Sequence, residues 1–208
     1  MLTMDRQKSN SLLESVKHTL SCEAQEIERL IHTLDDQQII EAAEMILRCS
    51  GKVILSGCGT SGTAGEKIAH TLSCIEIPAF FLSPAKAAHG GMGVIQREDV
   101  VILISKGGHT PELECIAQAV EKKGAGLITV TENTESFLAR KSSLVLKVKV
   151  DAEPDEFGML ATASTLAVIS TFDAIAIALA GLKGYTREEF LLIHPGGAVG
   201  EKLLEETR

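Results

Sequence analysis

The sequence predicts an α/β fold, a three-layer sandwich with a five-stranded parallel sheet and an N-terminal helical extension. Three observations carry that expectation. Five short apolar runs lack strict alternation, as strands buried on both faces do. Stretches of helical spacing separate them, which is the alternation that builds crossover units. Twice, a strand-like run breaks directly into a loop of glycines and hydroxyls and then into a helical pattern, over Lys52 to Gly62 and over Asp99 to Thr110.

In chain order, Leu12, Leu13, Val16, Leu20, Ile27, Leu30 and Ile31 recur at helical spacing and predict a helix over about 9–32. Asp36 to Arg48 reads as a second, with Ile39, Ile40, Ala43, Ile46 and Leu47 on one face. These make the extension, over about 9–49, and the α/β core follows over about 50–208. Strands are expected at Val53–Leu55, Ala79–Leu82, Val100–Ile104, Leu127–Val130 and Leu144–Val148, with helices at Ser61–Ser73, Pro111–Lys123 and Thr134–Arg140. Pro111 suits a first helical turn and Gly124 a C-terminal cap. A long helix over Thr162–Ala180 follows, then a closing helix from near Gly197 to the C-terminus. With no internal repeat, low-complexity tract or linker, residues 1–208 read as one domain.

Composition narrows the function. A net charge of -8 with no Lys/Arg block argues against nucleic acid as the main partner. One Tyr and no Trp leave no base-stacking platform for single strands. The five cysteines form no C-x-x-C pair and no metal-finger spacing, so they read as reduced thiols of a cytosolic protein. Cys58 alone falls in a glycine loop, as small apolar filler or as a functional thiol. The N-terminus (Asp5, Arg6, Gln7, Lys8) lacks the apolar stretch of a signal peptide. Leu166 to Leu182, the most hydrophobic segment, carries Ser170, Thr171 and Asp173 and reads as a buried helix rather than a membrane span. The expectation is a soluble, cytoplasmic protein with neither nucleic acid nor membrane as partner.

A buried parallel strand delivers its loop to the carboxyl edge of the sheet, where backbone N–H groups, hydroxyls and a helix N-terminus can face one anion. Two such loops about 48 residues apart suggest one pocket for a small phosphorylated molecule. Gly57-x-Gly59-x-x-Gly62 formally matches a dinucleotide fingerprint, but the second strand runs into Ser83 and Pro84 with no acid for a ribose. No Walker lysine follows either. Gly59 and Gly62 can instead let the backbone approach a phosphate that Thr60 and Ser61 bind. Ser105 and Thr110 bracket the second loop, and Glu112 sits in the next helix's first turn, as a dipole partner or as an acid/base group. The histidines are scattered, without the spacing of a metal site.

Together, Gly57-Cys58-Gly59-Thr60-Ser61-Gly62 and Ser105-Lys106-Gly107-Gly108-His109-Thr110 resemble the loops of the sugar isomerase (SIS) domain. Pro84 to Gly90 is similar to the family's Pro-x-Glu-Ala-x-His-Gly segment, and Ala161 to Thr165 to its Ala-Pro-Thr-Ser-Ser-Thr helix start. Phe190 to Gly200, with His-Pro-Gly-Gly at 194–197, is close to the ending of the arabinose 5-phosphate isomerase family. The resemblance implies a flavodoxin-like or Rossmann-like SIS fold and a cytosolic, cofactor-independent aldose–ketose isomerase of a phosphorylated sugar. The implied pair is arabinose 5-phosphate and ribulose 5-phosphate, interconverted through an enediol. Isomerisation of another phosphosugar, such as a hexulose 6-phosphate, is the enzymatic alternative. A non-catalytic phosphosugar sensor is the alternative from another class.

Carried over residue by residue, the resemblance puts functional side chains at His89, Glu112, Glu153 and His194. Glu153 and His194 lead for proton transfer, His89 would help open the ring or polarise the carbonyl, and Glu112 would orient hydroxyls. Gly59, Thr60, Ser61, Ser105, Lys106, His109, Thr110, Thr162, Ser164 and Thr165 make up the substrate and phosphate set, with no metal or cofactor. Thr60 stands where the family has a lysine, and Lys106 is positioned to return that charge by another route. The family also implies self-association as a homodimer or homotetramer, in which His89 could reach a neighbour's pocket; many members carry CBS repeats, and the expectation here is a single SIS domain without them.

Overall fold

In Val53-Ile54-Leu55 every side chain is fully buried, although successive residues of a strand point to opposite faces. Two cores account for this. Val53 and Leu55 join Val100, Ile102, Ile104, Ile128 and Val130 in one apolar cluster. Ile54 joins Val101, Leu103 and Leu127 in another on the opposite face. A sheet covered on both sides needs apolar residues at every position, which is why these runs do not alternate.

The computed structural model describes residues 6–196. The N-terminal helices are α1 (Arg6–Thr33) and α2 (Asp36–Leu47); Asp35 caps α2, its carboxylate accepting the Gln38 N–H. The core then runs β1 (Val53–Gly57), α3 (Thr60–Ser73), β2 (Ala79–Phe81), α4 (Pro84–Ala88), a 3-10 turn (Gly91–Val94) and β3 (Val100–Ile104). After these come α5 (Pro111–Lys123), β4 (Gly126–Thr131), α6 (Phe137–Lys141), β5 (Leu144–Lys147), α7 (Ala163–Lys183) and α8 (Arg187–Ile193).

The sheet has five strands in the order β2-β1-β3-β4-β5, and every neighbouring pair is parallel. That is the flavodoxin-like order, whose direction of winding reverses between β1 and β3. The crevice at the carboxyl ends of those two strands is the place where such sheets bind ligands. Asp99 fixes their other ends. Its buried carboxylate accepts the Lys52 and Gln96 N–H groups at 3.0 and 2.7 Å and pairs with the Lys52 ammonium at 2.8 Å. Burial pushes its carboxyl up, but these bonds outweigh burial and hold it below the usual carboxylate range.

The expected α/β sandwich and helical extension are present, and Pro111 to Gly124 behaves as read, with Gly124 a left-handed cap. Some expectations change. The edge strand β2 is only half-buried and β5 alternates, because an edge lacks a neighbour on one side. The helix expected from Thr134 begins at Phe137. Asn133 first makes an Asx turn with the Glu135 N–H, and Ser136 then caps α6. Two short helices escape the periodicity reading: α4, with Pro84 in its first turn, and α8, whose capping box joins Thr186 and Glu189. The closing helix expected near Gly197 lies outside the described residues.

Among the described residues α7 is the one helix long and apolar enough to cross a membrane by length and composition. One face of it, including Ala167, Phe172, Ile175 and Leu179, is buried in the core. The reading of a buried helix therefore holds for that face, while Ile177 and Leu182 are exposed. α1, packed along α7, exposes Leu12, Leu13, Val16, Leu20 and Ile31.

Candidate functional site

Only Cys58 and Gly59 separate β1 from α3. The turn is this tight because the backbones touch. A Cβ on Gly57 would lie 2.7 Å from the Ser61 carbonyl oxygen, and one on Gly62 would lie 2.7 Å from that of Gly57. Gly59 caps α3 at φ 57 and ψ -132, a region that L side chains rarely adopt. The first turn of α3 thus presents Thr60 and Ser61 at the carboxyl edge of the sheet. Its first N–H groups carry the positive end of the helix dipole.

The loop after β3 is closed by its own side chains. The Ser105 and Thr110 hydroxyls lie 2.9 Å apart, and Ser105 Oγ accepts the Gly108 N–H at 3.1 Å. At the next residue the Lys106 carbonyl accepts from Thr131 Oγ1 and the Glu132 N–H, which clips the loop to the end of β4. Lys106 therefore has a fixed backbone and a half-exposed side chain.

The third element is the start of α7. Thr162 is its N-cap but makes no side-chain cap bond, and its hydroxyl is buried without a hydrogen-bond partner. Glu153 does the capping from the preceding loop. Its Oε2 accepts the Thr162 N–H at 3.0 Å and the Ser164 N–H at 3.4 Å, while its Oε1 lies 3.2 Å from Lys106 Nζ. Only 2% of this side chain is exposed. Burial raises its proton affinity, yet bonds from Ser164, Thr162 and Lys106 outweigh that and keep its carboxyl below the usual range. Helix α1 braces the same loop: the Asp151 N–H donates to Glu26, and Arg29 pairs with Asp151 and Glu26.

The three elements enclose a cleft with about 420 Å3 of free space, part of it open to solvent. Thr60 and Ser61 line it from α3, Lys106 from the second loop, and Ala161, Ser164 and Thr165 from the start of α7. Two helix N-termini, several hydroxyls and one ammonium thus converge on this space, with Glu132 on its wall and Glu153 accepting the Thr162 and Ser164 N–H groups of the α7 start.

The remaining expected residues lie elsewhere. Glu112 lines a separate hollow with Cys58, Gly59, Glu66 and Ser83. Partial burial and then the Glu112 charge push the Cys58 thiol up, so it is held protonated. His109 is exposed, with Nδ1 3.9 Å from Glu114. His89 ends α4, exposed, and His194 ends α8, its ring stacked at 4.0 Å on Phe190. Neither histidine lines the cleft in a single chain. Sequence reasoning missed Thr131 and Glu132, which line it from the end of β4. Their signal was available: they end a central parallel strand beside the switch point. Among the described residues no group of three or more His, Cys, Asp or Glu side chains is placed to hold a metal ion.

The profile of the SIS domain family matches residues 46–178. The arabinose 5-phosphate isomerase GutQ of Salmonella typhi is 40% identical over 199 residues, 96% of this chain and 62% of the relative. The arabinose 5-phosphate isomerase KdsD of Pseudomonas aeruginosa is 36% identical over 201 residues, 97% of this chain and 61% of its own. The chain thus spans about three fifths of the length of these curated relatives. Among solved structures, a candidate sugar-phosphate isomerase of Listeria monocytogenes superposes with a TM-score of 0.89 at 46% identity, covering 93% of this chain and all of its own. An Escherichia coli CFT073 protein solved in complex with arabinose 5-phosphate superposes with a TM-score of 0.86 at 33% identity, covering 92% of this chain and all of its own.

Proposed function

The chain belongs to the SIS domain family, and we propose that this protein is a phosphosugar aldose–ketose isomerase that works without a cofactor, with arabinose 5-phosphate and ribulose 5-phosphate as its preferred pair. One observation carries the reading: α3 and α7 begin at the same cleft and bring Thr60, Ser61, Ser164 and Thr165 to it with Lys106. Helix N-termini and hydroxyls hold a phosphate without needing a positively charged protein. The names borne by GutQ and KdsD, at about two fifths identity, support the isomerase class and the pentose pair.

The chemistry moves a proton between C1 and C2 of the sugar through an enediol, which requires a base and a donor at the oxygens. His194 is our base. Its Nδ1 lies 3.1 Å from the Phe190 carbonyl, which can only accept, so the neutral ring would carry its proton on Nδ1 and leave Nε2 as the acceptor. The ring is fixed by the stack on Phe190. Glu153 serves this reaction as a carboxylate that orders the α7 start and Lys106. Glu112 orients hydroxyls, and His89 polarises the carbonyl or opens the ring.

His89 and His194 stand apart from the cleft within one chain, so we place the working site in a homodimer or homotetramer, where a neighbour completes it. The exposed apolar residues of α1 and α7 support that assembly.

Proton exchange followed by NMR tests the proposal. The protein is incubated with ribulose 5-phosphate in D2O, with hexulose phosphates in parallel. The expected result is arabinose 5-phosphate deuterated at C2, and none with His194→Ala. Faster turnover of a hexulose phosphate would replace the pentose pair. Binding of phosphosugars without turnover of any would refute the enzyme and leave a sensor.

A further inference from the structure

Among the described residues Lys106 is the cation lining the cleft, and its ammonium is engaged by carboxylates. Its ammonium lies 3.2 Å from Glu153 and 3.7 Å from Glu132, one cation between two carboxylates. Three features make that engagement reversible. The Lys106 backbone is pinned through its carbonyl, while 47% of its side chain is exposed, so the ammonium can swing without moving the loop. Glu153 does not depend on Lys106 alone, because the Thr162 and Ser164 N–H groups at the start of α7 stay on it. Glu132 is part-exposed and can be rehydrated. A phosphate carries up to two negative charges, more than either carboxylate, and it would arrive at the hydroxyls on the same wall.

We propose that Lys106 is an exchangeable counter-ion: its ammonium pairs with Glu153 in the empty site and transfers to the phosphate of a bound sugar phosphate. The proposal rests on the phosphosugar reading and deepens it. Thr60, uncharged at the first loop, leaves this role to the second loop. The exchange also bears on chemistry. Lys106 lies between Glu153 and Glu132, and Cys22 on α1 feels the charges of both Glu153 and Glu26, with Arg29 on Glu26. Removing Lys106 from that set and adding a phosphate both raise the proton affinity of the Glu153 carboxylate. The exchange thus loosens the hold on the Glu153 charge when substrate is present, while His194 remains the base.

Calorimetric titration with inorganic phosphate and with arabinose 5-phosphate tests the exchange, with circular dichroism melts confirming the fold of each variant. Lys106→Met weakens both ligands roughly tenfold or more. Glu153→Gln, which frees the ammonium from its competitor, tightens both by roughly threefold to fivefold. In a Lys106→Met background the Glu153→Gln gain disappears. Simple repulsion between carboxylate and phosphate would instead let the gain persist there, and that outcome overturns the exchange. Glu132→Gln gives the same sign without touching the α7 cap, so the test survives if Glu153→Gln does not fold. A wild type that binds arabinose 5-phosphate while Lys106→Met binds it equally well refutes the exchange alone. A wild type that binds no sugar phosphate refutes the functional reading, and the exchange with it.

Discussion

Replacing Gly62 with alanine sets helix propensity against packing. Gly62 lies in the first turn of α3, where alanine would ordinarily gain up to about 1 kcal/mol. Its added Cβ, however, would stand 2.7 Å from the Gly57 carbonyl oxygen and 3.4 Å from the Phe81 ring, about 0.7 Å short of ordinary contact at 3.4 Å on the oxygen side. Both crowded groups on that side are backbone, so no rotamer relieves the clash and α3 must lift from β1. Overpacking of this kind costs about 1–3 kcal/mol. The net expectation is a loss of up to about 2 kcal/mol, with weaker phosphate binding because Thr60 and Ser61 move with the helix. Gly181→Ala is the control. A Cβ there meets nothing within 4 Å, inside α7, so alanine should stabilise by about 0.5–1 kcal/mol. Urea unfolding followed by circular dichroism reads both variants, since the chain has no Trp for fluorescence. If Gly62→Ala proves as stable as the wild type and binds inorganic phosphate equally well, the close-approach argument is wrong.

Four further outcomes are expected. Asp99→Asn should cost about 2–4 kcal/mol, because it disturbs two backbone bonds and leaves Lys52 without its ion pair. The folded Asp99 pKa is depressed, so this stability is present above the unfolded value near ~3.9 and is lost as pH falls through the folded one; urea melts from neutral to acid pH should show a shallower acid loss in the variant. Thr186→Ala removes the capping box of α8 and should cost about 1 kcal/mol locally, seen as roughly fivefold faster amide exchange over residues 187–193 with the Leu20 region unchanged. Leu20→Glu combined with Ile177→Glu places charge on the exposed apolar faces of α1 and α7 and should lower the mass measured by light scattering. Thr60→Lys added to Lys106→Met should restore arabinose 5-phosphate affinity by supplying a cation from the first loop; an affinity as poor as that of Lys106→Met would argue that the cation must come from residue 106.

Helix α5 shows why much of the fold could be read directly. Pro111 and Gly124 act through their own backbone geometry, so start and stop are written locally. The central strands were legible for a related reason: burial on both faces demands an unbroken apolar run, and β3 matches its expected Val100–Ile104 span. Helix α8 carried an equally local signal, Thr186 followed by Glu189, but seven residues are too few for periodicity to register. Helix α6 was placed too early because the Asn133 side chain competes with the helix for backbone N–H groups, which spacing of apolar residues does not reveal.

The candidate site divides along the same line. The glycines at 57, 59 and 62 and the hydroxyls beside them could be recognised because each answers a local backbone demand, whereas the Ala161 to Thr165 helix start was legible only through its resemblance to the family. Which of them share a cleft depended on strand order, because the reversal between β1 and β3 puts the two loops side by side. Glu153 shows the difference most clearly. In the chain it belongs to an acidic stretch with Asp155 and Glu156, and its partner Lys106 lies 47 residues away. Only folding brings that carboxylate under the start of α7, and only there do two N–H groups and an ammonium hold its charge against burial. The sequence by itself determined the strands, the tight turns and the residue types that can meet a phosphate, because these follow from neighbours along the chain. The tertiary structure alone decided which charges face each other, since pairing depends on distance and burial in space.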